Sequence, residues 1–245
     1  MRSQLLVLLL AMIAAPGSAH AGRTFYGWLY GTEVMPERGV ELQSWLTDEN
    51  YDGGRAEDSW LFGAQVGVTD RLELGFPVEI DWYKDPNLTP MAGTRFARFG
   101  IEGRYRFVTQ DPVDAPALVP LLRVGVKRLI ADRHGAQPEL DFVLSYETGI
   151  VQVLVDLGFV AQLSADNGNQ YQIRPGAGIS VLARDDLRFG AELFAHLPDR
   201  GDGWLIAGPN LSWTHGRFWI SGAFGIGLTQ NVINTAPRVQ WGIAF

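Results

Sequence analysis

The sequence predicts an all-β fold: a transmembrane antiparallel up-and-down β-barrel of about twelve strands. Three observations carry that expectation. Leu72, Leu74, Phe76, Val78, Ile80 and Trp82 alternate with Glu73, Gly75, Pro77, Glu79 and Asp81. A strand turns successive side chains to opposite faces, so this stretch has one wholly apolar face and one acidic face. The same alternation then recurs along the chain between loops at one end and shorter turns at the other. Finally, no later run approaches the roughly 18 continuous apolar residues of a membrane helix. In a bilayer, lipid covers the apolar face of each strand, provided every backbone group is paired in a closed barrel.

The chain begins with Arg2, the apolar run Leu5 to Ala15 and the small residues Ala19-His20-Ala21. A positive start, a short apolar core and an A-x-A site predict a cleaved secretory signal over residues 1–21. Residues 22–38, GRTFYGWLYGTEVMPER, are aromatic and then turn-like; they are expected to form a periplasmic lead-in folded under the barrel mouth. The barrel is expected over 39–245.

Gly39 to Thr47 is the first expected strand, followed by a polar loop from Asp48 to Asp58 that contains Asp52-Gly53-Gly54. Ser59 to Val68 returns to the tight turn Thr69-Asp70-Arg71, and Leu72 to Trp82 follows. After the loop Lys84 to Thr94, Arg95 to Val108 sets Phe99, Ile101, Tyr105 and Phe107 against Arg98, Glu102, Arg104 and Arg106. A turn over Thr109 to Ala117 leads to Leu118 to Ile130, which carries Arg123 and Lys127. The loop Ala131 to Pro138 precedes Glu139 to Glu147, and Thr148-Gly149 is a hairpin turn. Ile150 to Ser164, a loop at Asp166 to Asn169, and Tyr171 to Leu182 come next. Arg184-Asp185-Asp186 turns into Leu187 to His196. Trp204 to Thr214, Phe218 to Thr229 and a last strand ending on Val239, Trp241, Ile243 and Phe245 complete the twelve.

Aromatic residues gather near the strand ends: Trp60, Trp82, Tyr171 and Trp204 at one rim, and Phe107, Tyr146, Phe189, Trp213, Phe218 and Trp241 at the other. Such positions suit interfacial girdles. Pro77, Pro120, Pro175 and Pro209 fall inside strands, where a closed barrel has no free edge for a missing N–H. Bulges are expected there, with a slip of the inside–outside phase near Pro209.

A formal net charge of −7 and a pI of about 5.1 argue against a nucleic-acid partner. Mean hydropathy of +0.01 fits alternation. With no cysteine in an exported chain, strand closure rather than disulfides must supply stability.

The signal, the alternating strands, the turn phrase Gly67-Val68-Thr69-Asp70-Arg71-Leu72-Glu73-Leu74 and the terminal Phe245 resemble bacterial outer-membrane β-barrels. The phrase Thr32-Glu33-Val34-Met35-Pro36, with Gly39 and Glu41, is similar to the segment that opens the barrel in the group of phenol-degradation meta-pathway barrel proteins. The terminal aromatic resembles the signal read by the barrel-assembly machinery. This resemblance implies Gram-negative outer-membrane insertion among lipid and lipopolysaccharide, with that machinery as a partner. It supplies no catalytic residues.

Strand parity places Arg98, Arg104, Arg106, Arg123, Lys127, Arg174 and Arg188 inward. Glu41, Glu73, Glu79, Asp81, Glu102, Asp141, Glu147, Asp156 and Glu192 share that face. The fourth and fifth strands are mostly basic and the third and sixth acidic, which predicts a transverse field in the lumen. Such a field suits a monomeric channel for passive diffusion of small charged or amphipathic solutes. A structural barrel with a charge-filled lumen is the second expectation, an outer-membrane hydrolase the third. For the last, His196 near Glu192 is the only acid–base hint, because His134 falls in a loop and His215 in a turn. No cysteine or histidine cluster suggests a transition metal, no cofactor is expected, and the Asp- and Asn-rich loops suit solvated charge better than calcium.

Overall fold

A computed structural model describes residues 24–84, 95–110, 116–132, 134–165 and 168–245. The expected signal, most of the loop from Lys84 to Thr94 and part of the turn from Thr109 to Ala117 lie outside them.

The described residues form twelve strands: β1 (Val40–Tyr51), β2 (Ala56–Thr69), β3 (Leu72–Lys84), β4 (Arg95–Arg106), β5 (Leu118–Leu129), β6 (Ala136–Thr148), β7 (Val151–Gln162), β8 (Gln170–Arg184), β9 (Leu187–Pro198), β10 (Trp204–His215), β11 (Phe218–Gly227) and β12 (Ile233–Ala244). Each pairs antiparallel with its sequence neighbours, and β1 closes the barrel on β12, from Glu41 opposite Ala244 to Tyr51 opposite Ile233. The start of β1 and the end of β12 meet at one end, where the Phe245 N–H donates to the Val40 carbonyl at 2.8 Å. The two-residue turns lie at that end. Gly149 (φ 58°) and Gly216 (φ 57°) take the left-handed backbone that tight hairpins need.

The outer face is a belt of apolar side chains. Leu42, Phe99, Phe142, Val155, Leu157, Leu211 and Ile226 are all exposed, while charged and polar residues between them are buried. That inversion suits lipid outside and a packed polar bore inside.

Three expectations change. β1 and β2 run on through most of the predicted loop from Asp48 to Asp58, with Asp48 opposite Asp58 and Glu49 opposite Glu57. Their inward residues there face a water-accessible cavity, so the ladder continues without an apolar pattern. The prolines cause no bulge. At Pro77, Pro175 and Pro209 the ladder on one side omits two positions and resumes in the same register. The missing N–H is thus confined to one neighbour, and the register shifts lie elsewhere, between Asn50/Tyr51, Gly67/Thr69, Glu79/Ile80 and Leu182/Arg184. Nor does the phase slip near Pro209: Trp204, Ile206, Asn210 and Ser212 all face inward and are buried. Trp204 is therefore a bore residue and not a rim anchor.

Candidate functional site

The chain before β1 decides what the bore can do. Residues 24–36 do not lie beneath the barrel mouth; they enter the bore and are held there by inward strand residues, while Glu37 and Arg38 stay exposed at its rim. Both oxygens of Glu192 are occupied by backbone donors, Gly27 N–H at 2.9 Å and Trp28 N–H at 3.0 Å. Asp156 accepts from Tyr30 N–H at 3.1 Å, and Glu73 from Met35 N–H at 2.6 Å. Thr32 and Ser145 hydroxyls meet at 2.7 Å. Arg104 donates to the Gly31 carbonyl at 2.7 Å and Arg106 to that of Thr32 at 3.3 Å. A segment without regular structure can be buried only when its backbone groups find such partners.

Side chains reinforce the backbone contacts. Tyr26, Trp28, Leu29 and Val34 cluster with the inward apolar residues Leu121, Val143, Leu154, Phe194, Trp204 and Ile206. Burying each large side chain contributes roughly 1.5–3 kcal/mol. The guanidinium groups of Arg123, Arg188 and Arg238 lie over the rings of Tyr30, Phe25 and Trp28 at 4.3, 4.3 and 3.8 Å. Gly67 completes the seat: a Cβ there would collide with the Pro36 carbonyl, and the Gly67 carbonyl accepts from Arg38 N–H at 2.9 Å. The Thr32–Pro36 and Gly67–Leu74 phrases are therefore in contact.

The predicted transverse field is resolved into contact pairs. Arg123, buried, binds Glu102 at 2.6 Å, Glu139 at 2.7 Å and Asp141 at 2.6 Å. Lys127 bridges Glu139 at 3.0 Å and Glu79 at 3.4 Å. Arg98 takes Glu79 at 2.9 Å and Asp81 at 3.2 Å, Arg104 takes Glu73 at 3.2 Å, and Arg188 pairs with Glu147. Acidic β3 and β6 flank basic β4 and β5, so neighbouring strands neutralise one another. Arg174 and Arg238 form no ion pair with any described carboxylate.

Above the segment, at the loop end, a polar cavity of about 440 Å³ opens outward between Glu49, Glu57, Arg98, Arg174, His196 and Arg238, among others. A smaller cavity of about 90 Å³ lies below it, bounded by Trp28, Tyr30, Trp45, Asp156, Arg174 and Arg238. The bore is thus an outward vestibule whose floor is the N-terminal segment.

Of the residues expected to line the lumen, Asp81, Glu102, Arg104, Arg106, Arg123, Lys127, Asp141, Asp156, Arg188 and Glu192 are buried and Glu79, Arg98 and Arg174 partly so, with the partners and cavities just described. Glu139 and Arg238 were missed. Both share the parity of inward neighbours but stand next to Pro138 and Pro237, where the starts of β6 and β12 are hard to see. His196 stacks on Trp204 at 5.3 Å, and with Glu192 occupied by the segment's backbone no acid–base pair forms. His134 and His215 are exposed.

No family model matches the chain, and no curated protein does. Solved structures share the fold. An outer-membrane channel from Pseudomonas putida F1 superposes with a TM-score of 0.58 at 10% identity, covering 87% of this chain and 98% of the other. The KdgM porin in complex with disordered oligogalacturonate gives 0.52 at 11%, covering 84% and 99%. The translocator domain of the autotransporter NalP from Neisseria meningitidis gives 0.53 at 12%, covering 100% and 96%. A channel, a porin and a translocator domain on one architecture leave function to the site.

Proposed function

We propose that this chain is a bacterial outer-membrane channel for passive diffusion of small charged or amphipathic solutes, closed in the present state by residues 24–36. The observation that carries the reading is the outward vestibule of about 440 Å³, polar-lined and set in a barrel with an apolar outer belt. The segment that forms its floor continues into β1 and is otherwise held by hydrogen bonds, ring contacts and apolar burial. The signal-like residues 1–21 support export. The alternating hydrophobic pattern Val239, Trp241, Ile243 and Phe245 in and beside β12 supports insertion by the barrel-assembly machinery among lipid and lipopolysaccharide, and a self-closed barrel supports a monomer. Kinship with the phenol-degradation meta-pathway barrels rests on the Thr32–Pro36 and Gly67–Leu74 phrases.

The experiment is planar-bilayer recording of the full chain and of a variant lacking residues 24–36. A channel gives low or intermittent current in the first and steady ohmic current in the second. Silence in both favours the second reading, a structural barrel, for which the Arg123–Glu102–Glu139–Asp141 cluster is the specific support. Ion selectivity is best probed by charge reversal at Arg174, which lines the vestibule, because Arg104 and Arg123 are tied into the buried network.

A further inference from the structure

The vestibule floor is electrostatically incomplete. Asp156 and Glu192 are inward carboxylates of β7 and β9, the strands that flank β8, where they stand opposite Gly176 and Gly178, two and four positions along from Arg174. Both accept the backbone N–H groups of residues 27, 28 and 30, and neither forms an ion pair with arginine. Arg174 Nη2 is a buried donor with no acceptor, and so is the indole nitrogen of Trp45. Arg238 gives Nε–H to the Thr47 hydroxyl at 2.9 Å and otherwise lies between the rings of Trp28 and Trp45, 3.8 and 5.7 Å from their centroids. Arg174, Arg238 and Trp45 all border the cavity of about 90 Å³. The other carboxylates there are engaged: Glu79 by Arg98 and Lys127, and Asp141 by Arg123. Buried donors without acceptors are costly, and a planar oxyanion satisfies guanidinium forks with paired, charge-assisted bonds.

We propose that this floor is a binding subsite for the carboxylate group of a small organic anion, held by Arg174, Arg238 and the Trp45 N–H. Its organic part extends into the vestibule, where the half-buried ring of His196, stacked on buried Trp204, forms part of the wall. Inorganic phosphate has no such part, so the wall favours an organic carboxylate. The subsite depends on the seated segment, whose backbone N–H groups occupy both Glu192 oxygens and Asp156 Oδ2, leaving Asp156 Oδ1 as the one unpartnered oxygen of the two acids, which the two arginines outweigh.

The inference deepens the channel reading, yet binding is measured without conductance. A chain that binds but never conducts loses only the channel, and one that conducts but does not bind loses only the subsite. The experiment is calorimetric titration of the refolded full chain in detergent with butyrate, butyramide and phosphate at constant ionic strength. Saturable butyrate binding is expected, with butyramide weaker by about tenfold or more. Arg174→Gln and Arg238→Gln are each expected to weaken butyrate about tenfold and leave butyramide unchanged, while Arg184→Gln, at the exposed end of β8, changes neither. Arg174→Lys, which keeps the charge without the fork, gives an intermediate loss and stands in if the glutamine variant fails to fold. Equal binding of acid and amide, indifference to the Arg174 and Arg238 variants, or tighter binding of phosphate than of butyrate overturns the proposal.

Discussion

Replacing Arg123 with methionine, which has a similar length and no charge, tests the buried network at its centre. Arg123 is 1% exposed and its three donor nitrogens reach three carboxylates between 2.6 and 3.0 Å. Without it, Glu139 retains Lys127 at 3.0 Å and the Gln137 amide at 2.6 Å. Glu102 keeps only the Gln65 amide at 3.5 Å, and Asp141 loses its ion pair. Two buried carboxylates then lack a cation, and breaking one buried pair costs about 3–5 kcal/mol. Protonation or entry of water limits the second penalty. Arg123→Met is therefore expected to lose at least about 3 kcal/mol at neutral pH, a large share of ordinary domain stability. The assay is urea unfolding in lipid vesicles, read by the gel mobility of unboiled samples. Adding Glu102→Gln and Asp141→Asn should restore most of the loss, because it is the unpaired charge that is expensive. A single-variant loss within about 0.5 kcal/mol, the range of ordinary surface changes, or a triple variant no better than the single, refutes this reasoning.

Val155 is 51% exposed on the outer face of β7. Val155→Arg should cost about 2–4 kcal/mol in the same vesicle assay if lipid covers it, whereas a water-facing site would tolerate it within about 0.5 kcal/mol. Gly67→Ala puts a methyl group against the Pro36 carbonyl, so it should unseat the segment and raise cleavage between residues 24 and 38 by added protease while the barrel stays folded. Asp186, in the turn between β8 and β9, is held below the ordinary carboxylate range by the Trp213 indole N–H first and then by Arg184. A lowered folded value means stability that is fully present above the ordinary value near 4 and lost as pH falls through the folded one. The unfolding midpoint of the wild type should thus exceed that of Asp186→Asn above about pH 4 and converge with it in stronger acid; a gap independent of pH contradicts this.

The barrel was legible because period-two alternation is strong wherever lipid lies on one side and charge on the other, as in Leu72 to Trp82. The vestibule was harder to read. Glu49 and Glu57 look like loop because their strands pass the apolar belt there, while the ladder continues. The inward segment was hidden for a different reason. Parity turns Leu121, Val143, Leu154, Phe194, Trp204 and Ile206 inward, and apolar residues on the polar side of a barrel call for an apolar occupant. At β10 that signal resembles a phase error beside Pro209, although the strand keeps its register. Which backbone amides Glu192 and Asp156 would hold is not written in either strand, because the contacts join residues more than 120 positions apart.

The central claim is that residues 24–36 are seated in the bore while the barrel spans a bilayer. The chain has no cysteine of its own, so Thr32→Cys with Ser145→Cys places a clean pair where the two hydroxyls stand 2.7 Å apart. Mild oxidation of the variant in lipid vesicles, followed by mass spectrometry, should give a near-complete disulfide between the two positions. Two free thiols that react promptly with a bulky, membrane-impermeant maleimide would contradict the account.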